Sequence, residues 1–150
     1  MAKSVRTDLP VLTFDGKKEP TIAANIYNAQ QAGWERILTY DYQKDQVIRN
    51  QQRAWKRRGA MNTPGEEVPS IQGKVLHRDE YPCTCTLEHK GSAWIGHAVA
   101  DENRSQGGQL NAFLEQHGAT RGFVNSASGF QFVVEVVNWP PPSKVTGFAR

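Results

Sequence analysis

Three observations predict a single α+β domain with a mixed or antiparallel sheet and flanking helices. The chain has 150 residues, enough for one compact core without disulfides or metals. Strand-like and helix-like stretches follow in the order β-α-β-α-β-β-α-β, with two adjacent strands set to form an antiparallel hairpin that feeds a helix. No repeat, low-complexity tract or shift of composition divides the chain. Residues 1–150 therefore read as one domain, with its core at about 9–138 and a tail at 139–150.

Val11-Leu12-Thr13-Phe14 has strand composition and stops at the turn signal Asp15-Gly16. Thr21 is placed to cap a helix running to Ala32, with Ile22, Ile26 and Ala29 on one face and Gly33 as its stop. Ile37-Leu38-Thr39-Tyr40 is the second strand. Residues 44–58 form a second helix with a sparse apolar side of Val47, Ile48 and Trp55, ended by Gly59, and 59–73 form a loop. Residues 74–77 and 93–100 read as strands flanking 78–91. Residues 106–117 read as a third helix, with Leu110, Phe113 and Leu114 apolar and Asn103 or Ser105 as its cap. The Phe- and Val-rich stretch 130–137 is the last strand, before Trp139 and three prolines.

With 6 Phe, 4 Trp and 4 Tyr the chain has too much core-forming surface to be disordered. No apolar run approaches the roughly 20 residues that cross a bilayer. Residues 1–10 carry Lys3 and Arg6 with no apolar stretch behind them, so no signal peptide is expected. Cys83 and Cys85 would lie on one face of a strand, an arrangement that rarely closes a disulfide, and read as packing groups. Charge is unevenly shared: the first 60 residues carry +5 and the remaining 90 carry −2. Within 44–58, Lys44, Arg49, Arg53, Lys56, Arg57 and Arg58 face one acid, Asp45. A solvated helix face and a grip on a polyanion are equally good accounts of that run.

Two segments carry chemistry together. His77-Arg78-Asp79-Glu80-Tyr81-Pro82 crowds charges at the end of a strand, and Asp101-Glu102-Asn103-Arg104-Ser105-Gln106-Gly107-Gly108 marks a strand-to-helix junction. Each alone is explained by a surface ion pair or a cap. Joined by a hairpin, both can face one cleft, the plan of a metal nuclease in which a hairpin base activates water and a helix holds a hard divalent ion.

The motifs HRDEYP and DENRSQGGQLNAF resemble the NucA/NucB deoxyribonuclease family, which carries (D/C)-x-D-E-(Y/W)-P followed by an N-x-x-x-G helix start. VLTFDGKKEPTIAANIYNAQQAG, KDQVIRNQQRAWKRRG and GFQFVVEVV are similar to that family's opening strand and helix, basic segment and closing strand, so the likeness covers about 9–138. The resemblance implies a ββα-metal, His-Me-finger-like nuclease domain that hydrolyses DNA phosphodiesters without sequence preference, using Mg²⁺ or Mn²⁺. It makes Asp79 the base and Glu80 its motif neighbour, and sets Asn103, Gly107 and Asn111 on the helix-start pattern. His77 stands where relatives often have Asp, which gives it a possible share of proton transfer.

For the remaining residues, Arg78 beside Asp79 is expected to hold that carboxyl ionised and, with Arg104, to offset transition-state charge. Asn111 and Glu115, one turn apart, are expected to join Asn103 on the ion. Arg49, Arg53, Lys56, Arg57, Arg58 and Arg104 are candidates for DNA phosphates. His89, His97 and His117 read as structural, and Trp34, Trp55 and Trp94 as core or partly buried anchors. Family members are typically exported or form toxic tips of secreted proteins. The expectation is thus a secreted or delivered effector, otherwise a cytoplasmic protein, with DNA and an acidic immunity protein as partners and no membrane. A ribonuclease effector and a non-catalytic nucleic-acid-binding module are the alternatives.

Overall fold

The computed structural model describes residues 8–61 and 76–141. The elements are β1 (Val11–Asp15), α1 (Pro20–Gln31), β2 (Ile37–Tyr40), α2 (Gln46–Met61), β3 (Leu76–Tyr81), β4 (Trp94–Val99), α3 (Ala100–Gln116), a 3-10 turn (Ala119–Arg121) and β5 (Phe130–Val137). The α+β class and the element order are those the sequence predicts. Residues 62–73 of the expected loop, 74–75 of the expected strand and 142–150 of the expected tail lie outside the described residues.

Two sheets form. β5 is central in a mixed sheet of order β1-β5-β2, parallel to β1 and antiparallel to β2, while β3 and β4 pair antiparallel as a separate hairpin. β5 alternates Phe130, Phe132 and Val134 inward, and Leu12, Phe14 and Leu38 from its neighbours point the same way. α1 covers this face with Ile22, Ile26 and Ala29, all essentially fully buried. From α3, Phe113 closes the core with its ring centroid 5.5 Å from that of Phe132 and 6.4 Å from that of Phe130. The His117 ring packs tilted against Phe113 with centroids 4.7 Å apart, in keeping with a structural role.

Several local expectations change. α1 begins at Pro20, which tolerates the first turn because its missing N–H has no partner there. Thr21 is therefore inside the helix and does not cap it. α2 starts where Asp45 Oδ1 accepts the N–H groups of Val47 (2.9 Å) and Ile48 (3.2 Å). It runs through Gly59, because a Cβ there would lie 2.6 Å from the carbonyl oxygen of Gly91: the glycine serves a close approach and is not a stop. Its apolar side faces outward, with Val47 65%, Ile48 43% and Trp55 58% exposed. Trp55 is thus no core anchor, whereas Trp34 and Trp94 do pack against the core. α3 begins at Ala100, six residues earlier than expected, with Val99 at its cap and no side chain capping it. Neither Asn103 nor Ser105 caps α3.

The 82–93 segment docks on the outer edge of β2 rather than standing free. Glu88 accepts the Thr39 N–H at 2.6 Å and its hydroxyl at 2.9 Å, and Asp41 N–H donates to Cys85 O at 2.8 Å. From α2, the buried Lys56 ammonium donates to the carbonyls of Thr86 (2.8 Å) and Thr84 (3.2 Å) and reaches Asp41 at 3.5 Å. A buried ammonium persists only when its donors are satisfied in this way. Lys56 is a tie between α2 and the loop, not a free grip on phosphate.

Candidate active site

The hairpin alternates its side chains between two faces. His77, Asp79 and Tyr81 pair with Ala98, Gly96 and Trp94 on one face; Arg78 and Glu80 pair with His97 and Ile95 on the other. Asp79 is only 6% exposed. It looks toward α1, where Asn25 Nδ2 donates to Asp79 Oδ2 at 3.4 Å and to the His97 carbonyl at 2.8 Å. Gly96 makes room for that amide, since a Cβ there would lie 2.3 Å from Asn25 Cγ. Asn25 was not foreseen. Its signal is a polar residue among the apolar positions of α1, a placement that costs free energy unless the group has a partner.

Burial drives the Asp79 carboxyl up to about 7, with the neighbouring Glu80 charge adding to the rise and the Asn25 hydrogen bond opposing it. This corrects the expectation that Arg78 holds Asp79 ionised: strand alternation turns the two side chains to opposite faces, and desolvation dominates. A carboxyl that titrates near neutrality is suited to accept a proton from water.

Glu80 is anchored differently. Its Oε1 lies 2.9 Å from His89 Nε2, and Gly91 N–H donates to His89 Nδ1 at 3.2 Å. With Nδ1 accepting, a neutral His89 carries its proton on Nε2 and donates it to Glu80. His89 is fully buried, so the pair ties the hairpin to the 82–93 segment.

One turn before Asn25, α1 meets α3. Glu102 Oε1 accepts the Thr21 N–H and hydroxyl, both at 2.9 Å, and the Ile22 N–H at 3.4 Å. It satisfies the free donors of the α1 N-terminus and their positive dipole end. The Thr21 hydroxyl in turn accepts the Val99 N–H at 3.0 Å. Thr21 and Asn25 are i, i+4 neighbours, about 5–6 Å apart on one helix face. Asp79 and Glu102 are thus bound to residues one turn apart on α1. Asn103, half-buried in the first turn of α3, is next to Glu102.

The other expected ligands and cations are spread more widely. Asn111 and Glu115 lie about 12 and 18 Å beyond Asn103 along the axis of α3, so the three do not converge on one ion. They line instead a cleft of about 540 Å³ between α2 and α3, together with Tyr40, Arg49, Arg53, Cys83, Cys85 and Gly107. Arg57 and Arg58 are exposed on α2 but do not line this cleft. Arg104 is exposed and paired with Asp101 one turn away.

Among the described residues, no three carboxylate, imidazole or thiol side chains gather to hold a metal. That excludes an all-protein cage from these residues. Two buried side-chain atoms, Glu19 Oε2 and His97 Nε2, lack a hydrogen-bond partner among the described residues. Each is a place for a water molecule or a ligand atom.

No curated protein matches the chain in sequence. The family model described as Deoxyribonuclease NucA/NucB matches residues 25–124. That span runs from Asn25, the residue that touches Asp79, through the hairpin and all of α3; β1 and β5 fall outside it. With HRDEYP on the hairpin and ENRSQGG opening the helix it feeds, the chain belongs to the NucA/NucB deoxyribonuclease family.

Proposed function

We propose that the protein is a metal-dependent DNA endonuclease without sequence preference. The observation that carries this reading is a buried aspartate, Asp79, on the hairpin that feeds α3, held by Asn25 and with its carboxyl pushed up to about 7 by burial. Asp79 accepts a proton from the attacking water, and Asn25 holds the carboxylate in place. His77, two residues away on the same strand face, passes a proton to or from solvent in this reading. Glu80 adds to the rise that burial imposes on Asp79, and His89 fixes the position of Glu80.

Glu102 and Asn103 are the residues that would hold Mg²⁺ or Mn²⁺. The Glu102 oxygen bound to α1 orients the carboxylate, and its second oxygen is the donor. The ion, when bound, supplies Lewis-acid polarisation of the scissile phosphate. Asn111 and Glu115 belong to the cleft that takes flanking DNA, where Arg49 and Arg53 meet phosphates. Gly107 supports that use: among the described residues nothing lies within 4 Å of the position of its Cβ, so a strand can approach the helix backbone. Arg104 is the candidate for transition-state charge, since Arg78 lies on the strand face opposite Asp79.

Phosphate contacts carry no base information, which supports cleavage without sequence preference. We extend the proposal to a secreted or delivered toxin guarded in its producer by an acidic inhibitor. The support is the basic cleft, which a carboxylate-rich surface fits as phosphate does. Plasmid DNA and total RNA incubated with the protein in Mg²⁺, Mn²⁺ or EDTA test the activity. Metal-dependent nicking of DNA is expected, and Asp79→Asn abolishes it. Cleavage of RNA alone would make it a ribonuclease, and binding without cleavage in every ion would make it a non-catalytic module.

A further inference from the structure

Cys83 and Cys85 fall in a turn after β3 ends at Tyr81, so the strand geometry that would keep them apart does not apply. Their sulfurs lie 2.9 Å apart. The surroundings hold them there. Cys83 O accepts the Thr86 N–H and hydroxyl, Thr84 O accepts Lys56, and Cys85 O accepts the Asp41 N–H. The Cys83 carbonyl thus closes the turn on itself, and those of Thr84 and Cys85 are tied to α2 and to the end of β2. Both cysteines also line the cleft of about 540 Å³ that carries Arg53, so a small oxidant has a route to them.

We propose that Cys83 and Cys85 form an oxidisable dithiol site that closes to an intrachain disulfide when a hydroperoxide enters the cleft. A disulfide of about 2.05 Å needs the two sulfurs to approach by less than 1 Å. The shared hydrogen bond from Cys83 holds the Cys85 thiol below the usual range, with Arg53 and Lys56 assisting, while the Cys83 thiol is pushed up. Cys85 is thus the attacking sulfur. Its thiolate bonds to one peroxide oxygen and the O–O bond breaks. The departing alkoxide or hydroxide takes a proton, leaving Cys85 as a sulfenic acid. The Cys83 sulfur then bonds to Cys85 Sγ, the S–O bond breaks, and its oxygen leaves as water with the Cys83 proton. Two thiols lose two electrons to one hydroperoxide, and the products are one disulfide, one alcohol (or water) and one water.

The chain has only 2 cysteines, so an intrachain disulfide identifies itself. The test is intact-mass measurement and alkylation of the native protein after exposure to hydrogen peroxide, with Cys83→Ser and Cys85→Ser in parallel. The expected product is a monomer lighter by about 2 Da, with neither thiol alkylated, restored by dithiothreitol. In Cys83→Ser, dimedone traps a sulfenic acid on Cys85 faster than it traps one on Cys83 in Cys85→Ser. Three results overturn the proposal: both thiols still fully alkylated, a sulfinic product heavier by about 32 Da, or a disulfide-linked dimer. The wild-type measurement stands even if a variant fails to fold.

Discussion

Asp79 occupies a place where a carboxylate is costly. Its side chain is pressed between a strand and α1, and the Asn25 amide only partly offsets the loss of water. A folded value near 7 against about 4 in the unfolded chain means the native state holds the proton more tightly. Stability from this group is therefore full below about pH 4 and falls as pH rises to about 7. The loss is on the order of 4 kcal/mol at about 1.4 kcal/mol per unit. Asp79→Asn removes that loss: its stability advantage over wild type should grow between pH 4 and 7 and then level off, as read by urea melts at several pH values. The same variant should lose about 10²–10⁴-fold in cleavage rate. A variant no more stable at pH 8 than wild type would show that Asp79 is better solvated than its packing implies.

Asn25→Ala probes the same carboxyl from the other side. Without the donor, the Asp79 carboxyl moves further up, so the ascending limb of kcat/KM against pH should shift to higher pH while activity at alkaline pH recovers. A purely structural role for Asn25 would lower the rate evenly at every pH. Gly96→Ala should act in the same direction, because its Cβ displaces that amide.

At the scale of elements, α3 carries two adjacent glycines within a 17-residue helix. Nothing lies within 4 Å of the Cβ position of either among the described residues, and each costs a helix about 1 kcal/mol relative to alanine. Gly108→Ala should therefore raise stability by about 0.5–1 kcal/mol and leave cleavage unchanged. Gly107→Ala should stabilise equally but raise KM, because this residue lines the cleft; thermal melts and initial rates on plasmid separate the two. The basic helix α2 divides in the same manner. Arg49 and Arg53 face the cleft, whereas Arg57 and Arg58 do not line it. Replacing the first pair by alanine should flatten the slope of log affinity against log salt by about 2, at about 0.9 per phosphate contact, measured on an Asp79→Asn background. Replacing Arg57 and Arg58 should change it much less.

For the whole molecule, integrity depends on polar ties as well as on the aromatic core. Lys56, Glu88 and His89 each join the 82–93 segment to a different element: α2, β2 and β3. Lys56→Met keeps the buried stem but leaves two carbonyls without their donor, at about 1–3 kcal/mol each. It should lower stability by roughly 2–5 kcal/mol and loosen the cleft wall, seen as faster amide exchange at Asp41 and Leu87, whose N–H groups pair with or from this segment. Loss of DNA affinity with stability intact would instead return Lys56 to the phosphate-binding set.

What the sequence by itself determined is local in character. Apolar period, Pro and Gly positions and the run of charges were enough for the element order and for the hairpin feeding a helix. The site's chemistry was only half legible. Residue type marks Asp79 as a possible base, but the rise of its carboxyl comes from burial beneath elements such as α1, whose Asn25 is more than fifty positions away in the chain. The same holds for Glu102 on the N-terminus of α1, Lys56 under its loop carbonyls, and two cysteines brought into contact by a turn. Each was misread or passed over because desolvation and hydrogen bonding depend on distances through space. Neighbours along the chain report those only when the fold keeps them neighbours. Arg78, adjacent in sequence yet on the opposite face of its strand, is the case where it does not.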